Sequence, residues 1–373
     1  MYYKKYMPGL DIIRAAALLS VLLFHLFPRA FPGGFLGVET FFVLTGFLLA
    51  INDGPERREN ILHFYGRKLR RLYPPLLLVL LLTCGLMALF LPAALYGLRG
   101  ETLSALLGVY NWRQIAVAQD YFASIGAGSP FTHLWTLAVE VQFLLLWPLL
   151  KGLLQKGLKR DRESTAVLLG FSAVSLALLM PAAYLLTGSV SFVYYSTPTR
   201  AFSLFLGVLA GLSYRGGNPI GKFFMRIMKT SAPIRGLFIA GNALFAAFLL
   251  LRVSGADDIL YLGGMAAVSV WAAYLILTAA EMKGPVPKGT KLLSALSFEI
   301  YLWQYPVNFL FTGMFGNYIS IKLAELPVIL ALALWTHYLT KIEVKKYLWK
   351  TKNTLLSERK RKEGRPAGSE GCC

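Results

Sequence analysis

Three ionisable residues lie in an apolar stretch near the start of the sequence: Asp11, Arg14 and His25. Arg14 and His25 are eleven positions apart, which is about three helical turns and roughly 16 Å of rise, so in a helix both point to the same side. Ionisable groups in a membrane helix are costly and typically face the bundle interior or a cavity. The spacing therefore predicts a polar stripe along one membrane helix, with a different working group toward each end.

A second polar set follows i, i+3, i+7 spacing in HLWTLAVEVQF: His133, Thr136 and Glu140. In a helix these side chains share one face, with Glu140 about 10 Å deeper than His133. A carboxyl group and an imidazole in one apolar cavity are candidates for a general acid and base. Polar side chains of this kind also serve as hydrogen-bonding partners between membrane helices. The spacing favours neither role over the other.

Four basic residues stand directly before a proline pair in FYGRKLRRLYPP: Arg67, Lys68, Arg70 and Arg71. Basic clusters beside a membrane span usually determine topology and touch anionic lipid headgroups. Arginine side chains also bind phosphate oxygens in pairs. The cluster is therefore either a topology signal or a binding site for the phosphates of a cytoplasmic ligand.

The composition is that of a membrane protein. The 373 residues are 56% hydrophobic and only 15% charged, with a mean hydropathy of +0.55. Apolar runs of spanning length recur along the whole chain, which predicts an all-α, polytopic transmembrane bundle. The run 12–27 has no small-residue cleavage site after it, so we expect a retained first span rather than a signal peptide.

Ten spans are predicted, near 12–28, 33–51, 73–95, 133–150, 164–187, 199–213, 236–251, 259–279, 292–312 and 323–340. Most of the 38 Lys and Arg residues then fall on one side, which marks that side as cytoplasmic and places both termini there. The formal net charge of +19 is thus explained by topology, and no nucleic-acid partner is expected. The bundle is expected to occupy 1–345, followed by a basic, disordered cytoplasmic tail at 346–373.

Several residues outside these motifs keep two interpretations. Glu39, near the outer end of the second span, either meets water at the interface or shapes a site. The aromatic residues of the outer loop 96–132, among them Tyr110 and Tyr121, are expected to form an interface belt, with stacking on a sugar as the alternative. Cys372 and Cys373 either carry lipid or belong to a frayed tail, which we favour.

Six sequence blocks occur in order along the chain: LDIIRAAALLSVLLFH with GGFLGVETFFVLTGF, then FYGRKLRRLYPP, HLWTLAVEVQF, YYSTPTR, YLGG and SFEIYLWQYP. Together they resemble the acyltransferase 3 family of membrane-bound O-acyltransferases, which modify carbohydrates and other hydroxylated acceptors. The resemblance covers nearly the entire chain. It implies an O-acetyltransferase of the plasma membrane.

The resemblance also assigns residues. It implies an Arg-x-x-Arg pair for acyl-CoA, which fits Arg67 with Arg70, while Lys68 with Arg71 is the overlapping option. The donor-binding residues it implies are Arg14, Arg67, Arg70 and Arg71. The catalytic residues it implies are His25, Glu140, Tyr194 and Tyr195. The residues implied to bind substrate or shape the site are Asp11, Glu39, His133, Trp135, Arg200 and Gln304.

The implied mechanism has a direction across the membrane. Acyl-CoA, expected to be acetyl-CoA, docks its phosphates on cytoplasmic arginines and extends its thioester arm along the first span. His25 removes a proton from the acceptor hydroxyl, and Glu140 orients the imidazole or holds charge. Whether a covalent acyl-enzyme forms first on a tyrosine is left open. No permanently bound cofactor and no metal are expected.

Two residues and the domain organisation depart from the family pattern. Glu39 stands where many relatives have Asp, and Gln304 where many have His. Many relatives carry a fused extracytoplasmic hydrolase-like domain, so we expect here either a separate extracytoplasmic transferase as partner or direct transfer. The expected acceptor is peptidoglycan or a surface polysaccharide, with a lipid-linked sugar or a small secreted molecule as alternatives.

A proton-coupled transporter is the interpretation from another functional class. It would use His25 and Glu140 as a proton relay. Such transporters typically consist of two related halves with broken helices, and the sequence has no such repeat. The acyltransferase interpretation is therefore favoured.

Overall fold

The computed structural model describes residues 6–55, 57, 59–122 and 128–363. All regular elements in this part of the chain are helical, which confirms the all-α prediction. The α-helices described there are α1 Pro8–Leu26, α2 Gly37–Asn52, α3 Ile61–Phe90, α4 Leu98–Leu106, α5 Tyr110–Ala116, α6 Trp135–Arg160, α7 Arg162–Thr187, α8 Val190–Tyr195, α9 Thr197–Arg215, α10 Pro219–Ile227, α11 Ala232–Arg252, α12 Met265–Ala280, α13 Lys288–Ala295, α14 Ser297–Phe315 and α15 Ile319–Glu363.

Eight of these helices are long and apolar enough to cross a bilayer: α1, α2, α3, α6, α7, α11, α12 and α15. They make the chain a multi-pass membrane protein. The other two predicted spans coincide with α9 and α14, which carry more polar residues. Arg200 and Ser203 of α9 and Gln304 and Asn308 of α14 are all buried against protein. These buried polar groups lower the mean hydropathy of α9 and α14. Hydropathy alone therefore does not identify the two helices as part of the bundle.

Contacts between helix termini define two ends of the bundle. Gly9 at the start of α1 packs on Ala279 at the end of α12. Arg215 at the end of α9 donates to the carbonyl of Ala50 near the end of α2, at 3.1 Å. The chain passes from α2 into α3 at this end, which we call the basic end. His25 lies at the other end of α1, and we call that end of the bundle the opposite end.

Helices α2 and α9 form the closest helix pair of the core because glycines face the partner backbone. A Cβ atom on Gly46 would lie 1.9 Å from the carbonyl oxygen of Leu204, and one on Gly207 would lie 2.0 Å from that of Val43. Any larger residue would push the two helices apart. This approach holds the acidic first turn of α2 against the first turn of α9.

Helix α3 begins earlier than the sequence predicts. The predicted span starts at 73, whereas α3 begins at Ile61, where the Asn60 side chain accepts the N–H of Leu62 at 2.8 Å. Pro74 and Pro75 lie inside the helix, since membrane bundles tolerate the lost backbone hydrogen bonds of prolines. The basic cluster is therefore helical, and its members face different directions according to their spacing.

Two further boundaries differ from or extend beyond the sequence prediction. The predicted span 292–312 is divided, because a short α13 precedes α14. α15 continues past 345 to Glu363, into the segment expected to be a disordered tail. Residues 364–373, with Cys372 and Cys373, lie outside the described residues, and the division at 345 stays a prediction.

Candidate active site

A narrow cavity of about 200 Å³ runs between α1, α2, α3, α6 and α14. We call it the slot. Residues from Val38 to Asn52 of α2 line it, which corresponds to about 21 Å along the helix axis. Its shape suits an extended, single-chain ligand. Its polar lining residues are Arg14, Thr45, Asn52, Lys68, Arg71, Thr136, Glu140, Ser297 and Tyr301.

Three cations meet toward the basic end of the slot: Arg14, Lys68 and Arg71. Arg14 donates to Ser294 at 3.1 Å and lies 3.8 Å from Asp11, whose carboxylate also accepts from Ser294 at 2.5 Å. Arg71 has no hydrogen bond or ion pair with any described residue. Arg14, the predicted donor residue, thus lines the slot, and Asp11, predicted to shape the site, holds Arg14 in place. Both roles stay predictions.

The structure divides the basic cluster differently from the sequence. Arg67 is bound to Asp53 at 2.6 Å and to Glu59 at 2.7 Å, and Arg70 does not line the slot. Positions 68 and 71 face the cavity instead, because residues three apart share one helix face. Arg67 and Arg70 therefore do not line the slot, whereas the overlapping pair of Lys68 and Arg71 does. Which pair binds the donor stays a prediction.

Asp53 is the centre of an ion-pair network beside the slot mouth. Its carboxylate, 1% exposed, binds Arg67, Lys68 at 2.8 Å and Arg57 at 3.1 Å. Burial raises the pKa of Asp53, but the hydrogen bonds and charges of Arg67 and Lys68 outweigh this and hold its pKa below the ordinary value. The Trp147 indole donates to the Asp53 carbonyl at 3.2 Å, which ties α6 to this network.

Glu140 lines the slot one helical turn below Thr136. Its carboxylate accepts a hydrogen bond from Thr45 at 2.8 Å. Glu140 makes no hydrogen bond to His25, since His25 Nε2 is bound to Tyr121 and its Nδ1 has no hydrogen-bond partner among the described residues. That Glu140 orients the imidazole or holds charge stays a prediction. The shared helical face of Thr136 and Glu140 is confirmed, because both side chains line the same cavity.

His25 lies at the opposite end, 4% exposed. Its Nε2 atom is 2.9 Å from the Tyr121 hydroxyl, and its ring meets the Tyr305 ring edge-on at 5.1 Å. Asn308 donates to the His25 backbone carbonyl at 3.4 Å, which satisfies a group at the C-terminal end of α1. His25 is therefore fixed by three contacts from two segments, the outer loop and α14.

His133 reaches the same region from the turn before α6. Its ring stacks on Tyr305 at 5.4 Å, so Tyr305 lies between the two imidazoles. The Gln304 side chain faces His25. Neither ring nitrogen of His133 and neither amide atom of Gln304 has a hydrogen-bond partner among the described residues.

Arg200 and Glu39 form a buried ion pair above the slot. The guanidinium lies 2.5 Å from the Glu39 carboxylate, and the two side chains are 1% and 0% exposed. Ser203 and Ser269 also donate to Glu39, at 2.5 and 3.0 Å. The interpretation of Glu39 as a hydrated interface residue is thus wrong, and its predicted site-shaping role is supported.

Aromatic rings enclose the Arg200 guanidinium. The Arg200 Cζ atom lies 4.9 Å from the centre of the Tyr194 ring, 5.3 Å from that of Trp135 and 5.7 Å from that of Phe42. These cation–π contacts add to the ion pair with Glu39 in holding the buried arginine. Trp135 and Arg200 are therefore brought together as predicted, and both shape the wall on which Tyr194 lies.

Tyr121 contacts both tyrosines, Tyr194 and Tyr195, and also His25. Its ring stacks on Tyr194 at 4.9 Å and meets Tyr195 edge-on at 6.1 Å. The hydroxyls of Tyr194 and Tyr195 are buried and have no hydrogen-bond partner among the described residues. The predicted catalytic residues His25, Tyr194 and Tyr195 thus surround one side chain that comes from the outer loop. We call the buried group of His25, Tyr121, His133, Tyr194, Tyr195, Gln304 and Tyr305 the upper centre.

The outer loop is more deeply buried than the sequence predicts. Tyr110 and Tyr121 are 0% and 3% exposed, so the interface-belt prediction is wrong for both. Tyr110 donates to Glu101 at 3.4 Å, and Ser129 hydrogen-bonds the same carboxylate. Burial raises the pKa of Glu101 to about 6. The loop therefore packs as a lid over the opposite end of the bundle.

Sequence reasoning missed Tyr121, Tyr301 and Tyr305. The last two lie in SFEIYLWQYP, four residues apart, a spacing that places both on one helix face. That signal could have been found. The place of Tyr121 depends on the path of a long loop, which no local pattern specifies.

Comparisons with known proteins identify the family to which the sequence is similar. Residues 7–340 match the family described as acyltransferase domain, the acyltransferase 3 family. YrhL of Bacillus subtilis is 34% identical over 84% of this chain and 51% of its own length. The peptidoglycan O-acetyltransferase OatA of Listeria monocytogenes is 31% identical over 82% of this chain and 50% of its own. The O-acetyltransferase OatA of Staphylococcus aureus is 31% identical over 82% of this chain and 51% of its own.

The chain spans about half the length of the curated relatives it matches. No solved structure matches it.

Proposed function

Because the chain belongs to the acyltransferase 3 family, we propose that it transfers an acetyl group from acetyl-CoA to a hydroxyl of a cell-wall carbohydrate. One observation carries this proposal. The slot has three cations at one end, and beyond its other end lie His25, His133, Tyr194, Tyr195 and Gln304, all with buried polar atoms that lack hydrogen-bond partners among the described residues. Native proteins leave few such atoms unpaired, so the upper centre is suited to a ligand that supplies hydrogen bonds.

The donor enters from the basic end, which is the cytoplasmic side in this proposal. Arg14, Lys68 and Arg71 attract the phosphates of CoA, and Arg71 has a guanidinium not committed to any described partner. The acyl-bearing arm occupies the slot along α2. The slot length of about 21 Å along α2 suits such an extended arm. The Asp53 network holds Lys68 at the mouth of the slot, so that it can change partner when a phosphate arrives.

His25 is the proton acceptor in this proposal. One imidazole nitrogen takes the proton of the acceptor hydroxyl, and the hydroxyl oxygen attacks the thioester carbonyl carbon. The carbon–sulfur bond breaks, and the departing CoA sulfur takes up a proton from the imidazolium, which returns His25 to its starting form. Tyr121 holds Nε2, so it fixes the ring orientation and leaves Nδ1 open.

The acceptor approaches from the opposite end, beneath the outer loop. The relatives from Listeria monocytogenes and Staphylococcus aureus carry names of O-acetyltransferases, and the Listeria name specifies peptidoglycan. Buried aromatic rings with free hydroxyls, such as Tyr194 and Tyr195, are suited to stack on and hydrogen-bond a sugar ring. Either the carbohydrate is acetylated here directly, or a separate extracytoplasmic transferase takes the acyl group onward.

Reconstitution tests the reaction and its direction. The protein is placed in liposomes with its orientation determined, [¹⁴C]acetyl-CoA is supplied on one side, and soluble peptidoglycan fragments on the other. We expect label on the fragments only when donor meets the basic end. Transfer with donor at the opposite end alone would contradict the direction, and no label under any arrangement would contradict direct transfer.

The proposal includes ten spans with both termini cytoplasmic. Cysteine labelling in intact cells tests this, on a chain whose native cysteines are replaced by serine. Ala116→Cys, exposed at the end of α5, should react with an impermeant maleimide. Ser231→Cys, exposed between α10 and α11, should react only after the cells are opened. The reverse pattern would invert the mechanism.

A further inference from the structure

The slot stops short of His25. Toward the opposite end its lining includes Val38, Phe42, Thr136 and Tyr301, but not His25, His133, Tyr305 or Gln304. A thioester arm that follows the slot from the basic end therefore meets Tyr301 and its neighbours before it meets the upper centre. Whatever separates these two compartments controls which acyl groups pass.

The Tyr301 side chain touches both compartments. On one side it lines the slot, and on the other its ring lies 5.2 Å from the His133 ring. Its hydroxyl donates to the backbone carbonyl of His133 and hydrogen-bonds the Thr136 side chain. Both partners belong to the start of one rigid element, the turn before α6 and its first helical turn. Tyr301 is thus tied from α14 to α6 across the end of the slot.

The surroundings leave little room around this ring. Beyond it, His133 stacks on Tyr305, and Tyr305 meets His25. Phe42 packs on Trp135, with ring centres 6.1 Å apart, beside the Arg200 cage. Because interiors of this kind are closely packed, each added methylene of a ligand has to displace a side chain. Tyr301 lines the slot and also has a ring contact with His133 of the upper centre.

We propose that Tyr301 is the partition between the donor slot and the upper centre, and that it restricts the transferred group to a short acyl chain. This inference rests on the proposed function. A two-carbon acyl group fits beneath or beside the phenol ring, whereas a longer chain collides with it. The two hydrogen bonds of the hydroxyl hold the ring in place, so Tyr301 acts as a specificity-determining residue rather than as an acid or base.

Chain-length selectivity tests the proposal. The purified protein in lipid nanodiscs is supplied with acetyl-CoA or butyryl-CoA, and kcat/KM is measured for each with the same soluble glycan acceptor. We expect the wild type to prefer acetyl-CoA. Tyr301→Ala should raise the butyryl to acetyl ratio by about tenfold or more, since a methylene in a fitted pocket changes kcat/KM by about this much. Tyr301→Phe, which keeps the ring, should raise it by less than about threefold.

Phe298→Ala is the matched control. Phe298 lines the same slot from the same helix, and it has neither the ring contact with His133 nor a hydroxyl to bond Thr136 that Tyr301 has. Its removal enlarges the slot without opening the partition, so the ratio should change by less than about threefold. An equal rise in Tyr301→Ala and Phe298→Ala would overturn the proposal, because volume alone would then explain selectivity.

The result stays decisive if the alanine variant folds poorly. Tyr301→Leu keeps most of the volume but removes the hydroxyl and the planar ring, and it should raise the ratio in the same direction. Folding is checked by CoA binding at the slot mouth. A folded, active variant with an unchanged ratio overturns the partition alone. A wild type that uses neither acyl-CoA overturns the proposed function, and the partition with it.

Discussion

The two ends of the central site satisfy their polar groups in opposite ways. Around the slot mouth, Asp53 and Glu59 bind Arg57, Arg67 and Lys68 in a continuous ion-pair network. In the upper centre, by contrast, several buried polar atoms have no hydrogen-bond partner among the described residues. In the proposed function, the first region attracts a charged ligand, and Lys68 exchanges its Asp53 partner for a phosphate. The second is completed only when a ligand supplies the missing hydrogen bonds.

This contrast implies that damage to the two regions has different consequences. Loss of a cation at the mouth weakens ground-state binding, which more donor can overcome. Loss of a group in the upper centre removes an interaction at the reacting atoms, which more donor cannot overcome. Glu140 lies between the two regions, in the slot on the basic-end side of Tyr301. We therefore expect its substitution to have an effect between those at the two ends.

The largest expected effect is at His25. His25→Ala should lower turnover by about 100-fold or more, the usual reach of general acid–base catalysis, while CoA affinity stays within about threefold. CoA titration calorimetry and single-turnover transfer on the purified variant measure the two quantities. His63→Ala is the control, because His63 is an exposed histidine at the basic end. A large loss of CoA affinity in His25→Ala would show that His25 also contributes to donor binding, so that the two regions do not have separate roles.

Glu140→Gln should cause the next largest effect. The variant replaces the carboxylate that accepts from Thr45 within the slot by an amide, which can still accept this hydrogen bond but cannot ionise, and we expect transfer to fall by about tenfold or more, because a hydrogen bond to a neutral group is weaker than one to a charged group. Glu299→Gln serves for comparison. Glu299 pairs with His337 at 2.6 Å, away from the slot lining, so its change should be milder. Equal losses of transfer in the two variants at matched expression would mean that Glu140 is no more important for transfer than Glu299.

Cations at the mouth should produce the smallest change in turnover. Arg71→Ala, or Arg14→Ala, should raise the KM for acetyl-CoA by about tenfold with turnover nearly unchanged, because a charge-assisted phosphate contact is lost. Arg67→Ala should instead lower the melting temperature, since it leaves Asp53 and Glu59 short of a partner. If Arg67→Ala raises KM and Arg71→Ala does not, the donor pair is Arg67 with Arg70 after all.

The pH dependence of stability tests whether Glu101, in the outer loop over the upper centre, is shielded from water. Burial raises the pKa of Glu101 from its ordinary value of 4.5 to about 6, so the folded protein holds this proton more tightly than the unfolded chain. The stabilisation is therefore full below pH 4.5 and is lost as the pH rises toward 6. We expect a fall in melting temperature of roughly 2–4 °C across this window that is missing in Glu101→Gln. Identical profiles for the two proteins would show a solvated carboxylate.

Much of this protein follows from its sequence. Apolar runs and the placement of Lys and Arg determined a multi-pass helical bundle, because a bilayer requires each spanning segment to satisfy its own backbone hydrogen bonds. Helical spacing placed Arg14 and His25 at two ends of one helix and Thr136 and Glu140 on one face. The motif blocks also identified the family. These features depend on local periodicity, which the sequence carries directly.

Other features were decided only by tertiary structure. Residues 67–71 offered two overlapping pairs, and the choice depended on which face of α3 turns to the slot and on where Asp53 lies to bind Arg67. Glu39 had two interpretations until α9 brought Arg200 beside it across the glycine contacts. Tyr121 reached His25 by the path of a long loop, and Tyr301 met His133 across two helices. In each case the partner is distant in sequence, and packing geometry, which local patterns do not encode, selects it.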